Sequence, residues 1–327
     1  MAPLMQIPMK SGIEYLKEGD TYTVRYHASS RNVGDLRTEF NNDAYRIKNT
    51  LGPVYVLFSS GVDSQVIARC FKDVGVDAEY VFLNLVGHSN GVELSRIAEC
   101  ERFYGIKVKI IDVDINQYKD EWLERTKHEI PSYMFHYPYE QLVKQLPENW
   151  PVIFQGECEP TIIGAERGFA EFYTNYYVGS NQRTRVMEKF RKVMDFPFSS
   201  EALTSYYTDE NMKAFCSVGK YFGSLELQKK NGTEINTGEY WDYFGKAMTK
   251  GRYFKNDILW YGKLTGYESC PSWFLEKKVP NILESRILVP CHNLIGFLEN
   301  NRSCYKDYKG YDKRYDHRYT SLSSLGG

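Results

Sequence analysis

The chain has 327 residues, of which 42% are hydrophobic and 25% are charged, and its formal net charge is −1 at pH 7. This length is enough for one large or two modest domains with a full core. The near-zero charge provides no overall attraction to nucleic acid or to an anionic membrane. We expect no transmembrane helix, because no run approaches about 18 apolar residues.

The seven cysteines are odd in number, scattered, and form no Cys-x-x-Cys pair. This pattern argues against a disulfide framework and against a four-cysteine zinc site. The N-terminus lacks a basic segment followed by a long apolar core, so no secretory signal is expected. These features predict a cytoplasmic protein without membrane association, and they leave the oligomeric state open.

The first 50 residues predict an N-terminal appendage, with a strand or hairpin at Thr21–Tyr26 and a helix around 40–47. From residue 54 onward, short apolar runs alternate with amphipathic segments. Predicted strands are 54–58, 78–85, 107–113 and 151–156; predicted helices are 64–73 and 92–104, with further helical material in 117–146. This alternation predicts an α/β fold with a doubly wound parallel sheet over residues 51–165. Residues 166–327 are predicted to be mainly helical, with helices at 183–194, 209–222 and 238–250.

One loop carries most of the functional information. The apolar run 54–58 leads directly into Ser59-Ser60-Gly61-Val62-Asp63-Ser64, and an amphipathic segment follows. We expect Asp63 to cap a helix that ends near Gly75. Backbone N–H groups at a helix N-terminus, with the hydroxyls of Ser59 and Ser64, suit a phosphate. The simpler alternative is an ordinary Ser/Gly turn between a strand and a helix.

The 59–64 loop resembles the PP-loop of the ATP pyrophosphatases, Ser-Gly-Gly-x-Asp-Ser, between the first strand and first helix of an α/β domain. It is neither a Walker A loop nor a Gly-x-Gly-x-x-Gly turn. Four positions match, and Ser60 stands where the family has its first glycine. That departure is mild if Ser60 keeps a negative φ and strained if the position is left-handed.

The resemblance extends over about residues 50–165 and implies an adenine nucleotide alpha hydrolase-like fold. It includes the strand end Leu83-Asn84-Leu85 and the segment Gly156-Glu157-Cys158-Glu159. The overall run is most similar to phage-encoded relatives described as sulfonucleotide-reductase-like or asparagine-synthase-like. The resemblance therefore covers roughly a third of the chain and says almost nothing about the remainder.

The resemblance implies cleavage of ATP between its α and β phosphates, which adenylates an acceptor and releases pyrophosphate, followed by displacement of AMP by a nucleophile. ATP and Mg²⁺ are the implied cofactors, and the acceptor is a small molecule or a nucleotide. The implied nucleotide-binding residues are Ser59, Ser60, Gly61, Val62, Asp63, Ser64, Leu83, Asn84, Leu85 and Gly156. Asp63 and Ser64 are the implied catalytic residues, and Asp63 and Glu157 the implied metal ligands, with Glu159 as the alternative to Glu157. The simpler alternatives are that Glu157 is a solvated surface residue, that Gly156 serves a turn, and that Asp63 only caps the helix.

Two other functions stay open. A sulfonucleotide reductase-like oxidoreductase is disfavoured because the chain lacks a Glu-Cys-Gly-x-x-His tail. A non-catalytic nucleotide-binding protein of the same fold stays open because Ser60 departs from the pattern and because no lysine of the second region can be identified as part of the site.

Three further features have two interpretations each. Cys158 is either a sulfur-transfer nucleophile or a small buried thiol. The basic cluster Lys246, Lys250, Arg252 and Lys255 either meets phosphates or forms a solvated face. Residues 305–319 place tyrosines on one face of a predicted helix; this face either binds nucleic acid, which the net charge does not support, or docks against the domain.

Overall fold

The computed structural model describes residues 12–18, 21–87, 91–128, 136–147, 150–155, 160–163, 171–177, 193–213, 248–259, 286–300, 302, 304–309 and 323–324. The strands in this part of the chain are β1 (Ile13–Glu18), β2 (Thr21–Tyr26), β3 (Val54–Leu57), β4 (Ala78–Leu85), β5 (Val108–Val113), β6 (Val152–Gln155), β7 (Pro160–Ile163), β8 (Glu171–Tyr177), β9 (Val193–Phe196), β10 (Arg286–Pro290), β11 (Cys304–Lys309) and β12 (Ser323–Ser324). The helices are α1 (Leu36–Leu51), α2 (Val62–Val74), α3 (Gly91–Tyr104), α4 (Lys119–His128), α5 (His136–Lys144), α6 (Ser200–Thr208), α7 (Met248–Phe254) and α8 (Cys291–Glu299), with a 3₁₀ turn at Ile115–Tyr118.

The central feature is a five-stranded sheet in the order β5-β4-β3-β6-β9. Every neighbouring pair in it is parallel. The strand β3 lies in the middle, and all four of its residues are buried, as expected for a parallel strand covered on both faces. The predicted doubly wound parallel sheet, with its first strand in the centre, is confirmed.

Side chains of β3 alternate between two cores, as the two-residue repeat of a strand requires. Val54 and Val56 belong to a core that also contains Phe40 of α1 and Phe71 of α2. The other face is a second core, which packs Tyr55 and Leu57 with Leu142 of α5. Because helices cover both faces, the loops at the carboxyl ends of the strands are the part of the sheet open to a ligand.

Two antiparallel sheets lie outside this unit, in the orders β1-β2-β11-β12 and β10-β8-β7. The predicted tyrosine-striped helix at 305–319 is wrong over Cys304–Lys309, which forms β11 and pairs with β2 along six residues. The open edge of the β1-β2 hairpin offers backbone partners to an extended segment, and tyrosines favour strands as readily as helices. Residues 310–322 lie outside the described part of the chain.

The described part of residues 166–327 contains α6, α7 and α8 together with strands. The strand β9 completes the parallel sheet by pairing with β6, and it overlaps the end of the helix predicted at 183–194. The three proposed regions are therefore joined through shared sheets, and their limits as separate domains stay a prediction.

Candidate functional site at the carboxyl edge of β3

The 59–64 loop lies between the buried strand β3 and the start of α2. Gly61 is the N-cap residue, with φ −66° and ψ 161°, and its carbonyl accepts a hydrogen bond from Gln65 N at 3.0 Å. The prediction that Asp63 caps the helix is wrong, because Asp63 lies in the first turn of α2. The predicted end of the helix is confirmed, with Gly75 in the left-handed conformation at φ 73°.

Ser60 has a φ of 58°, in the left-handed region. It is also buried, with 2% of its surface exposed. A side chain in this conformation costs about 1–2 kcal/mol relative to glycine. Serine in place of the family's glycine at position 60 therefore introduces backbone strain. Gly61 does not adopt the left-handed conformation instead, because its own φ is −66°.

The two predicted hydroxyls of the loop have different surroundings. Ser64 is buried, and its hydroxyl donates to the carbonyl of Gly61 at 2.9 Å. Ser59 is half-buried and Gly61 is exposed. A Cβ atom at Gly61 would lie 3.3 Å from Ser59 Oγ, so the missing side chain keeps this exposed part of the loop open. The first N–H groups of a helix have no partner within the helix, which suits an anion at this position.

Asp63 forms an ion pair with Lys250 of α7, a residue 187 positions away. The side chains are 11% and 7% exposed, respectively. The ammonium of Lys250 also lies 5.8 Å from the centroid of the Tyr206 ring. Burial lowers the pKa of Lys250 to about 7. Buried ion pairs contribute little net stability compared with apolar side chains of the same size, so Asp63 and Lys250 are candidate functional residues of the 59–64 loop.

Sequence reasoning placed Lys250 in a basic cluster but did not distinguish it from its neighbours. Arg252 is half exposed and pairs with Asp209 at 3.4 Å, and Lys255 is exposed, so both form the solvated face of the simpler interpretation. Lys246 lies outside the described residues. Only the tertiary contact with Asp63 identifies the lysine that reaches the loop.

Ion pairs hold the segment that directly follows α7 against α1 and α2. Asp257 accepts from Arg37 of α1 at 2.7 Å and lies 3.3 Å from Arg69 of α2. Asp73 bridges the same two arginines from α2, at 2.8 and 2.7 Å. Phe254, the last residue of α7, is fully buried. Lys250 therefore reaches the loop from an anchored helix.

The predicted adenine-binding segment lies at the same sheet edge. Leu57, the last residue of β3, pairs with Val81 of β4. The strand β4 therefore continues for four more residues, to Leu85, on the side of the sheet where the 59–64 loop begins. Leu83 and Leu85 are buried in the second core, which leaves backbone groups as the means of contact with a base. Asn84 donates to Asp112 of β5 at 2.6 Å. The adenine-binding role of the segment stays a prediction.

Gly156 and Glu157 follow β6, which pairs with β3, but they lie outside the described residues, as does Cys158. Within the described ranges, no group of three or more His, Cys, Asp or Glu side chains is arranged to hold a metal ion. No helix in those ranges is long and apolar enough to cross a membrane.

The fold and the site together define a doubly wound α/β protein with a helix-terminal loop, and a buried ion pair, at the carboxyl edge of its central strand. The solved structures that are similar to it include the following three. NH3-dependent NAD synthetase from Campylobacter jejuni, in complex with nitrate, has 16% identity and a TM-score of 0.34 over 70% of this chain and 97% of that one. NMN synthetase from Francisella tularensis has 12% identity and a TM-score of 0.30 over 70% and 98%, respectively.

The third structure is a predicted subunit of a tRNA methyltransferase from Methanocaldococcus jannaschii, with 16% identity and a TM-score of 0.31 over 56% of this chain and 91% of that one. No protein-family model and no curated protein matches the chain. At these values the structural similarities establish neither a family nor an activity. The functional argument therefore depends on the site itself.

Proposed function

We propose that the chain is an ATP-dependent enzyme of the PP-loop ATP pyrophosphatase type. The acceptor attacks the α phosphate of ATP and releases pyrophosphate, and a nucleophile then displaces AMP from the adenylated acceptor, giving an amide, amine or thio product. The observation that carries the proposal is the buried Asp63–Lys250 ion pair at the 59–64 loop. The acceptor is a small molecule or a nucleotide, and we place the reaction in the cytoplasm.

Cleavage between the α and β phosphates requires positive charge and hydrogen-bond donors around the pyrophosphate that leaves. The first turn of α2 supplies backbone N–H groups at the loop. Lys250 supplies a cation there, although no Walker lysine follows the loop in the sequence. An anionic phosphate bound at the first turn of α2 would compete with Asp63 for this ammonium, because both groups are negatively charged.

The carboxylate of Asp63 is the feature of the loop that fits a magnesium ion. Asp63 offers carboxylate oxygens, which are the ligands Mg²⁺ prefers, and it becomes available when Lys250 turns to a phosphate. Asp63, together with Glu157 after β6, would hold the ion, whose contribution is to neutralise phosphate charge. Backbone groups of Leu83, Asn84 and Leu85 would hold the adenine, and Gly156 would leave room for the nucleotide.

The test is incubation with ATP labelled at the α phosphate, Mg²⁺ and a panel of acceptors, with AMP and ADP separated afterwards. We expect labelled AMP that depends on the acceptor, because an adenylate must be protected from water until the nucleophile arrives. Lys250→Met should lower ATP affinity and turnover, and Lys255→Met, which changes an exposed lysine of the same segment, should change neither. Labelled ADP as the main product would refute the proposal.

A second candidate, a non-catalytic nucleotide-binding protein, is favoured by one observation. Ser60 and Ser64 are both buried, and the hydroxyl of Ser64 is used within the loop, so fewer donors face a phosphate than in an open loop. This candidate predicts ATP binding that depends on Lys250, without AMP formation under any acceptor condition.

A further inference from the structure

We propose that Gln65 is a positioning residue that holds Ser60 in its left-handed conformation and joins the 59–64 loop to the segment that follows α7. The inference rests on the proposed function in one respect: the ligand that depends on this positioning is the phosphate chain of ATP. Gln65 follows the PP-loop pattern directly in the sequence, outside the residues that the resemblance assigns.

The side chain of Gln65 is fully buried, and its amide uses its whole hydrogen-bonding capacity. Nε2 donates to the carbonyls of Ser60 at 2.7 Å and of Leu259 at 2.9 Å. Oε1 accepts from Leu259 N at 2.6 Å and from the hydroxyl of Tyr104 at 2.9 Å. A primary amide has two donors and two acceptor lone pairs, so these four bonds also fix which amide atom is nitrogen.

The bond to Ser60 explains how a serine remains in the left-handed region. Rotation of Ser60 to a negative φ reorients the peptide groups on either side of its Cα, and its carbonyl would then leave Nε2 of Gln65. A buried amide donor without a partner is costly, and strained conformations persist where the surrounding structure over-determines them. Gln65 thus opposes the relaxation that would change the shape of the loop.

The bonds to Leu259 connect Gln65 to the segment that follows α7, the helix that carries Lys250. Gln65 pairs with both the N–H and the carbonyl of Leu259, as a neighbouring strand would. The single proton of the Tyr104 hydroxyl is shared between Oε1 of Gln65 at 2.9 Å and the carbonyl of Asp257 at 2.8 Å. Leu259 lies five residues after α7, the helix that carries Lys250. One side chain therefore touches both elements that a triphosphate would need, the loop and the segment of the cationic lysine.

The test is a double-mutant cycle of Ser60→Gly and Gln65→Met, read as the affinity for inorganic pyrophosphate and for ATP by calorimetry. Gln65→Met should weaken binding about tenfold, because the relaxed serine must be strained again when the ligand binds. Ser60→Gly alone should change affinity little. Added to Gln65→Met, it should restore most of the loss, because glycine adopts the left-handed conformation freely.

Two controls separate positioning from a general loss of structure. Tyr104→Phe removes a bond to the same amide oxygen without touching Ser60, so Ser60→Gly should not rescue it. Gln65→Leu also removes the donors to Ser60 and Leu259 without placing a charge in the core, and it replaces Gln65→Met if that variant does not fold. Equal effects of Ser60→Gly in the Gln65 and Gln65→Met backgrounds would overturn the inference.

A readout without nucleotide distinguishes failure of this inference from failure of the proposed function. If the unmodified protein binds neither pyrophosphate nor ATP, the proposed function is wrong, and urea unfolding of the same four proteins still tests the positioning role. Ser60→Gly should raise the urea midpoint more in the unmodified background than in the Gln65→Met background, where the serine has already relaxed. Additive midpoints would refute the role of Gln65.

Discussion

Removal of either partner of the Asp63–Lys250 ion pair should destabilise the protein strongly, while removal of both should not. The two side chains are 11% and 7% exposed, so each single variant leaves a charge buried without its counter-charge. Loss of one partner from a buried pair costs about 3–5 kcal/mol, and the residual exposure places the expected loss near the lower value. Lys250→Met and Asp63→Asn should therefore each lower the free energy of unfolding by about 3 kcal/mol.

The assay is urea unfolding of the two single variants and the double variant, with Lys255→Met as the matched lysine control. The double variant should recover most of the lost stability, because an amide and a thioether can be buried without a charge. Additive losses in the double variant would show that the two side chains do not interact. A loss with Lys255→Met as large as with Lys250→Met would show that burial of the pair has no special role.

Three further predictions follow from single features. Gly61→Ala should weaken pyrophosphate binding several-fold in calorimetry with little loss of stability, because the added methyl lies 3.3 Å from Ser59 Oγ at the exposed part of the loop; unchanged affinity would argue against this surface. Burial raises the pKa of Asp43 to about 6, so its folded state binds a proton more tightly than its unfolded state, and its stabilising contribution should be lost as pH rises from about 4 through 6. The urea midpoint should show this slope, and Asp43→Asn should flatten it. Burial raises the pKa of Cys70 well above its usual range and that of Cys100 to about 12, so iodoacetamide should label these residues only after unfolding, as peptide mass spectrometry would show, since the thiolate is the reactive form.

The parallel sheet could be predicted because each of its first four strands is bounded by local signals. The strand β4 begins and ends where the sequence pattern predicted, at 78–85, since Gly75 ends the preceding helix and the left-handed Gly87 makes a turn after Leu85. The fifth strand, β9, could not be predicted in this way. It has four residues, and one of them, Asp195, is exposed, so its extended conformation depends on pairing with β6 rather than on its own composition.

The candidate site also has one part that a local pattern predicts and one part that depends on a long-range contact. The 59–64 loop is six consecutive residues, so its pattern is visible without a structure. Lys250 lies 187 residues from Asp63, and no local pattern marks it among neighbouring basic residues. The wrong helix cap has the same cause: aspartate and glycine both suit a cap, but the carboxylate of Asp63 faces Lys250, and Gly61 takes the cap position.

Ser60 shows why a departure from a family pattern cannot be judged at one position. Taken alone, serine in place of glycine in a left-handed conformation argues for a distorted or inactive loop, because the strain has no compensation within the six residues. The structure places compensation at Gln65, whose buried amide donates to the Ser60 carbonyl at 2.7 Å. A glycine at position 60 would not need that bond, and a serine there without Gln65 would relax out of the required conformation. The two residues therefore form one unit, and we propose that phosphate binding by the loop depends on the pair rather than on either residue alone.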